Sequence, residues 1–289
     1  MSTPQEAWPR HHWCQELSPD LEFDCTVETA NEAGRAAAAL ILLTVNKLLP
    51  DRQPAYSAFR STETAIAGLM SDILLAIDAG DIAALALLDL SAVFDTVNHT
   101  NQLQRLWTSS GLNDADLSWF RTYQCWQHVC HHSEQLAPSI VQFSVPQGSV
   151  LGPLLFVTYT ADVVNVERQG LSAHQYADDI QVYSRCCPND STSLCRDLGG
   201  CIEHVASWMV TNHLQLNAAK TEFIWFIPPR RSHQFPSDQL AVGSVQVTPA
   251  ASVCDLGVYV DSNMSMRSLV TRLMCMCFGI LRQICSSKR

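Results

Sequence analysis

The chain has 289 residues, of which 47% are apolar and 16% charged, and a formal net charge of −10. Those values exclude a disordered tail and predict a folded protein with one large domain or two smaller ones. They also exclude a broadly basic surface, so any positive charge that meets nucleic-acid phosphate must be local.

Residues 1–30 show no apolar period. Met1 to Pro19 lacks the apolar core of a secretory signal, and the twelve cysteines form no evident disulfide framework. Both features lead us to expect reduced thiols and an intracellular protein. Ala36 to Leu49 is rich in helix formers and stops at Pro50. Its apolar stretch, Ala36 to Val45, is too short to span a membrane, and no membrane partner is expected. Asp51 to Thr62 is polar and loop-like. From Thr62 to Asp78, apolar residues at Ile66, Leu69, Met70, Ile73, Leu74 and Ile77 predict an amphipathic helix, broken at Gly80-Asp81.

Ala83 to Leu90 is a short apolar run interrupted by Asp89, which fits a buried strand. Asp114 to Tyr123 reads as a helix, and Gln142 to Pro153 is rich in turn residues. Leu154 to Val166 reads as a helix and Thr192 to His213 carries a clear helical stripe. Thr221 to Ile227 reads as a strand stopped by Pro228-Pro229. Gln239 to Val247 and Ser252 to Val260 read as two further strands. Met266 to Ile284 closes the chain as a helix with an apolar face through Leu269, Leu273, Cys277, Ile280 and Ile284. Strands and helices without strict alternation predict an α+β fold.

Between these elements, Tyr176-Ala177-Asp178-Asp179 places two carboxylates side by side in an apolar, strand-like run from Gln175 to Tyr183. Two readings fit this fragment. Asp is a common turn residue, so the pair can be a solvated hairpin turn. Alternatively, like charges held together are offered a cation, and Mg²⁺ takes oxygen ligands from one or two carboxylates and from phosphates. Asp89, at the end of its own apolar run, supplies a third carboxylate if the two strands lie side by side. Two metals roughly 3.5–4 Å apart can then activate a hydroxyl and stabilise a leaving oxygen. The Cys125, His128, Cys130, His131 and His132 cluster has zinc-ligand chemistry, but its spacing matches no standard finger or knuckle.

Taken in order, Leu87 to Asp95, Val145 to Pro153 and Tyr176 to Asp179 resemble the reverse transcriptase of non-LTR, LINE-like retrotransposons. Ser61 to Ala65, Leu216-Asn217, Lys220 to Glu222, Leu256-Gly257 and Cys277-Phe278 support the resemblance, which runs from about Leu48 to the C-terminus. It implies an α+β palm, an antiparallel sheet packed on helices. The expected segments are a poorly defined stretch at 1–47, fingers and palm at 48–265, and the start of a thumb at 266–289. The implied activity is RNA-directed DNA polymerisation, in which a primer 3′-hydroxyl attacks the α-phosphate of a deoxynucleotide (dNTP) on an RNA template.

By the same resemblance, Asp89, Asp178 and Asp179 are the catalytic carboxylates and hold two Mg²⁺ ions. Lys220 stands near the departing pyrophosphate. Phe94 is the steric gate that disfavours a ribonucleotide 2′-hydroxyl. Gln147 and Gly148 lie against the incoming nucleotide and template, and Leu256-Gly257 is the turn that positions the primer end. The life cycle of such elements implies a nuclear or cytoplasmic location. The chain departs from the family pattern at Ser144, where glycine is usual, at Asn98, and across Tyr123 to His132. These departures, with the acidic charge, keep open a second reading, a non-catalytic remnant that binds RNA or protein. A two-metal nuclease is a third, for which the Val145–Gly148 and Phe94 segments have no use.

Overall fold

The computed structural model describes residues 34, 55, 60–91, 93–110, 112, 117–118, 120–121, 130–131, 134–135, 142–145, 149, 151–163, 170–228, 230–231 and 236–287. Their helices are α1 (Thr62–Asp78), α2 (Val93–Thr96), α3 (His99–Ser110), α4 (Gly152–Thr160), α5 (Ser191–Thr211) and α6 (Arg267–Ser286). The strands are β1 (Ile82–Leu88), β2 (Leu90–Ser91), β3 (Cys130–His131), β4 (Glu134–Gln135), β5 (Ser172–Tyr176), β6 (Asp179–Cys186), β7 (Gln215–Leu216), β8 (Glu222–Phe226), β9 (Leu240–Val242), β10 (Val245–Val247), β11 (Ser252–Asp255) and β12 (Val258–Asp261). The expected helix at Ala36 to Leu49 lies outside the described residues, as does most of the one at Asp114 to Tyr123.

The centre of the fold is a four-stranded antiparallel sheet in the order β5-β6-β1-β8. β1 is buried on both faces, which explains why its sequence is continuously apolar and not alternating. Ala84, Ala86 and Leu88 point to one face, with Ile180, Val182, Phe223 and Trp225. They pack in one cluster with Phe156 and Tyr159 of α4 and Leu198 and Ile202 of α5. Ala83 and Leu85 point the other way, with Tyr183, Ile224 and Phe226. That face is covered by Leu69, Met70 and Ile73 of α1 and by Val253 and Val260. Each large side chain buried in this way contributes about 1.5–3 kcal/mol.

The boundaries of α1 fall where the apolar period placed them. Ser61 caps the helix, its hydroxyl accepting from the Thr64 N–H while the Thr64 hydroxyl accepts from the Ser61 N–H. Gly80, at φ +90, then turns the chain into β1.

Three expectations change in detail. Gln239 to Val247 and Ser252 to Val260 are each a two-stranded hairpin and not one strand. Gly243 turns the first at φ +57, and Leu256 and Gly257 turn the second at φ +44 and +84. Positive φ at the first central residue, or at both, is what a tight turn between twisted strands needs. The apolar face of the last helix is not buried: residues 270–286 of α6 are exposed throughout. A helical period shows that one face is apolar, not that the surrounding chain covers it. By length and composition alone, α6 is also apolar enough to cross a membrane, although it carries Arg267, Arg272 and Arg282. Arg272 stacks 3.9 Å from the Tyr259 ring centre and donates to its hydroxyl, which anchors the start of the helix on β12.

Ser144 takes φ +115. This is the position where the resembling family has glycine, and the backbone explains the preference. The Ser144 N–H donates to the Val97 carbonyl at 2.9 Å and its own carbonyl accepts from His99 Nε2 at 2.7 Å. These bonds hold the segment in a conformation that a Cβ disfavours. Ser144→Gly is expected to raise stability by about 1 kcal/mol, read as a rise of about 2–4 °C in the melting temperature. A lower melting temperature would mean that the serine side chain contributes more than its backbone costs.

Candidate active site

The pairing registers of β1 bring the site together. Against β6, the last pair is Leu88 with Ile180. One step further, Asp89 faces Asp179. Against β8, the last pair is Leu87 with Glu222. Two steps further, Asp89 faces Lys220. Asp89 therefore sits at the end of the central strand with an acid on one side and a base on the other. Local bonds hold this arrangement. Beyond Asp89, β2 pairs with β7, and the Asn217 N–H donates to the Asp89 carbonyl at 2.9 Å. The N–H groups of Lys220 and Thr221 both turn back to the Asn217 carbonyl. That turn sets Lys220 Nζ 3.4 Å from Asp89 Oδ2.

The acidic pair straddles a hairpin turn, with Asp178 inside the turn and Asp179 at the start of β6. Tyr176 pairs with Asp179, and Ala177 and Asp178 form the two-residue turn between them. Ala177 adopts φ +55. Gln175, which sequence reasoning did not single out, secures this turn from behind. Its buried Nε2 donates to the Thr160 hydroxyl and to the Ala177 carbonyl, both at 2.9 Å. The turn of the hairpin is thereby fixed to the end of α4.

The electrostatics follow from this crowding. Asp178 and Asp179 are exposed, and Asp89 is half-buried. Asp179 is accessible to water, yet the protein around it desolvates its carboxyl, and the Asp178 and Asp89 charges repel its ionised form. Together they push it up to about 6. Asp89 Oδ2 is closed to water and accepts no hydrogen bond. Its nearby cation is the largely exposed Lys220 amine, an ion pair of the kind worth about 0–1 kcal/mol. Asp89 and Asp179 line a groove of about 420 Å³ with Lys220, Glu222 and Cys254. Among the described residues, no three His, Cys, Asp or Glu side chains are gathered tightly enough to ligate one ion. What the site does offer is oxygen donors, one of them the buried Asp89 Oδ2, which has the Lys220 amine at 3.4 Å but no hydrogen bond, and oxygen donors are the chemistry a hard divalent cation takes.

Phe94 is half-buried in α2, its ring 5.4 Å from that of Phe156. Gln147 and Gly148 lie outside the described residues. Of the Cys125–His132 cluster, only Cys130 and His131 are placed, by backbone, in β3. Sequence reasoning also missed Asp255 and its partner Gln181. Asp255 is 3% exposed and accepts from Gln181 Nε2 at 2.6 Å. Burial and the Asp179 charge push its carboxyl up to about 6 against the lowering effect of that hydrogen bond. The signal was present, since Asp255 interrupts the inward row that begins with Val253, but a single acid before a turn reads as a turn residue.

An antiparallel sheet backed by helices, with acids from its central strand and the adjacent hairpin meeting at one end, defines the palm of a nucleic-acid polymerase. Residues 29–251 match the family described as Reverse transcriptase (RNA-dependent DNA polymerase), and the chain belongs to that family. It is 30% identical over 193 residues to the probable RNA-directed DNA polymerase from transposon BS of Drosophila melanogaster, covering 62% of this chain and 20% of that protein. It is 24% identical over 240 residues to the RNA-directed DNA polymerase from mobile element jockey of Drosophila funebris, covering 79% and 25%. The chain thus spans about a fifth to a quarter of the length of these relatives.

Among solved structures, it is similar to telomerase from Candida albicans in complex with a fragment of telomeric RNA. The TM-score is 0.51 and the identity 13%, over 86% of this chain and 42% of that one. Apo telomerase from Candida tropicalis gives a TM-score of 0.53 at 9% identity, over 82% and 40%. At these identities the likeness is one of fold. The expected α+β palm and the resemblance to LINE-like reverse transcriptases are both borne out. The family uses divalent metal ions.

Asp255 also makes stability depend on pH in a defined direction. Its carboxyl holds a proton more tightly in the folded protein, at about 6, than at the ordinary value of 3.8. The stability this contributes is complete below about 3.8 and is lost as pH rises through about 6. For so buried a group, the shift corresponds to about 3 kcal/mol. Asp255→Asn, compared with the parent in chelator, is therefore expected to gain relative stability between pH 4.5 and 7.5. A difference in melting temperature that stays constant over this range would contradict the assignment.

Proposed function

We propose that this chain is the catalytic core of an RNA-directed DNA polymerase that extends a DNA primer with dNTPs on an RNA template. The observation that carries the reading is the position of Asp89 at the end of β1, between Asp179 on β6 and Lys220 before β8. Asp89, Asp178 and Asp179 would hold two Mg²⁺ ions. Bound there, Mg²⁺ would favour ionisation of the primer 3′-hydroxyl and neutralise the charge of the leaving pyrophosphate.

The chain's own residues do the positioning. Gln175 holds the Ala177–Asp178 turn, so the two acids are presented at a fixed height above the sheet. Deprotonated Asp179 is the competent form, and occupation of the site by a cation lowers its affinity for a proton. Lys220 sits on an open arm beside Asp89, placed to meet phosphate oxygens once the acid is otherwise engaged. Phe94, restrained by contact with Phe156, supports the steric gate that the family resemblance assigns to it. Gln147 and Gly148 complete the nucleotide site by the same resemblance. Residues 48–265 form fingers and palm in this reading, and 266–289 begin a thumb. An intracellular location, nuclear or cytoplasmic, goes with it. A non-catalytic remnant is the weaker alternative, because all three acids and the lysine are retained.

The test is primer extension on an RNA template with Mg²⁺. Asp178→Ala/Asp179→Ala is expected to reduce incorporation by at least about 100-fold, the scale on which removing transition-state charge stabilisation acts. Equal signal from the double variant would sink the proposal. Phe94→Val is expected to keep dNTP incorporation and to raise the use of ribonucleotides by about tenfold or more. The readout is the ratio of kcat/KM values for the two sugars, and an unchanged ratio would remove Phe94 from the gate.

A further inference from the structure

The groove beside Asp89 has a floor and a wall of different origin. Its floor is the end of the four-stranded sheet, and Cys254 of β11 contributes to its wall. The β11–β12 hairpin is not part of that sheet. It lies over the face formed by Leu85, Tyr183 and Ile224, where Val253 and Val260 are fully buried. Alternation along β11 sends Val253 and Asp255 inward and Cys254 toward the groove.

The inward position after Val253 is one where an apolar residue would be the inexpensive choice. It holds a carboxylate instead. A buried acid carries a desolvation cost that only partners offset. Among the described residues, Asp255 has one hydrogen-bond partner, Gln181 Nε2 at 2.6 Å, and its Oδ2 accepts no hydrogen bond. Gln181 is itself only 1% exposed, and its Oε1 also accepts none. Gln181 is two residues beyond Asp179 on β6, so the two side chains leave the strand on the same face. The pair therefore connects the catalytic strand directly to the strand that walls the groove. A second tether at the same height is weaker: Glu222 Oε2 accepts from the Cys254 N–H at 3.4 Å.

We propose that Asp255 and Gln181 form a positioning pair that fixes the β11–β12 hairpin, and with it the groove wall and the Leu256–Gly257 turn, relative to the strand carrying Asp179. Neither residue touches the reacting atoms; both act through the distance they impose between wall and floor. In functional terms this rests on the polymerase reading, in which the primer–template occupies the groove.

The pair can be separated from simple stability. Replacing only one partner strands a buried polar group, whereas replacing both with apolar side chains removes the unpaired atoms together. Asp255→Leu/Gln181→Leu is expected to melt no lower than the parent, yet to lose the link. Hydrogen exchange at residues 254–258 should then be about tenfold faster, because the hairpin opens locally more often. The KM for primer–template should rise about fivefold or more with kcat little changed. Asp255→Asn, which still offers an oxygen to Gln181, should exchange no faster than the parent and keep its KM.

The proposal is overturned if the double variant exchanges at the parental rate. It is equally overturned if Asp255→Asn exchanges as fast as the double variant, or if exchange accelerates while KM stays put. Should the parent itself extend no primer, the polymerase reading falls, and the exchange comparison still decides whether the pair holds the hairpin.

Discussion

The register of β1 against its two neighbours is the constraint on which the rest of this protein depends. Side chains on a strand alternate between faces, so slipping β1 by one residue against β6 would send every buried methyl group to the wrong layer. The apolar contents of the two layers, Ala84, Ala86 and Leu88 on one side and Ala83 and Leu85 on the other, prevent that slip. Because the register is locked by hydrophobic packing, the positions past the last pairs are locked too. Asp89 then faces Asp179 and Lys220 as a consequence of how seven apolar residues pack. The chemistry is placed by the core, and the site residues contribute little to the stability of the sheet that presents them.

The site itself is under electrostatic tension. Burial disfavours the ionised form of Asp179, and the Asp178 and Asp89 charges add to the effect. Lys220 relieves part of this through an exposed pair with Asp89 that solvent weakens. A strong, buried counterion would hold Asp89 in one pairing, whereas an exposed lysine can exchange one oxygen partner for another. Asp255 extends the tension inward. Its carboxyl sits among apolar residues, and burial and then the Asp179 charge raise its proton affinity in the interior, where screening by salt is weak.

Two departures from the family pattern have different physical weight. Ser144 at φ +115 is local: hydrogen bonds to Val97 and from His99 hold the backbone in place although a Cβ now occupies it. The acidic net charge is global. Among the described residues that line the groove, Lys220 is the one cation. The exposed α6 belongs with neither. Its arginines and apolar side chains both face outward along 270–286, and only its first turns rest on β12.

By itself, the sequence determined the elements and the class. The periods at Thr62 to Asp78 and Thr192 to His213 located helices to within a residue or two, because apolar spacing and capping are local. The ordered motifs around Asp89, Val145 and Tyr176 identified the reverse transcriptase family, because several motifs in a fixed order are specific where one alone is not. The strand adjacency that a three-carboxylate site required was read as a condition, and only the tertiary structure met it. The tertiary structure alone decided that the acidic pair straddles a hairpin turn beside Asp89, that Gln175 of β5 braces this turn against α4, and that β11 is tied to β6 through Asp255 and Gln181. The physical reason is the same in each case. Pairing register and long-range hydrogen bonds join residues far apart in the chain, such as Gln181 and Asp255, and no local period or composition carries that information.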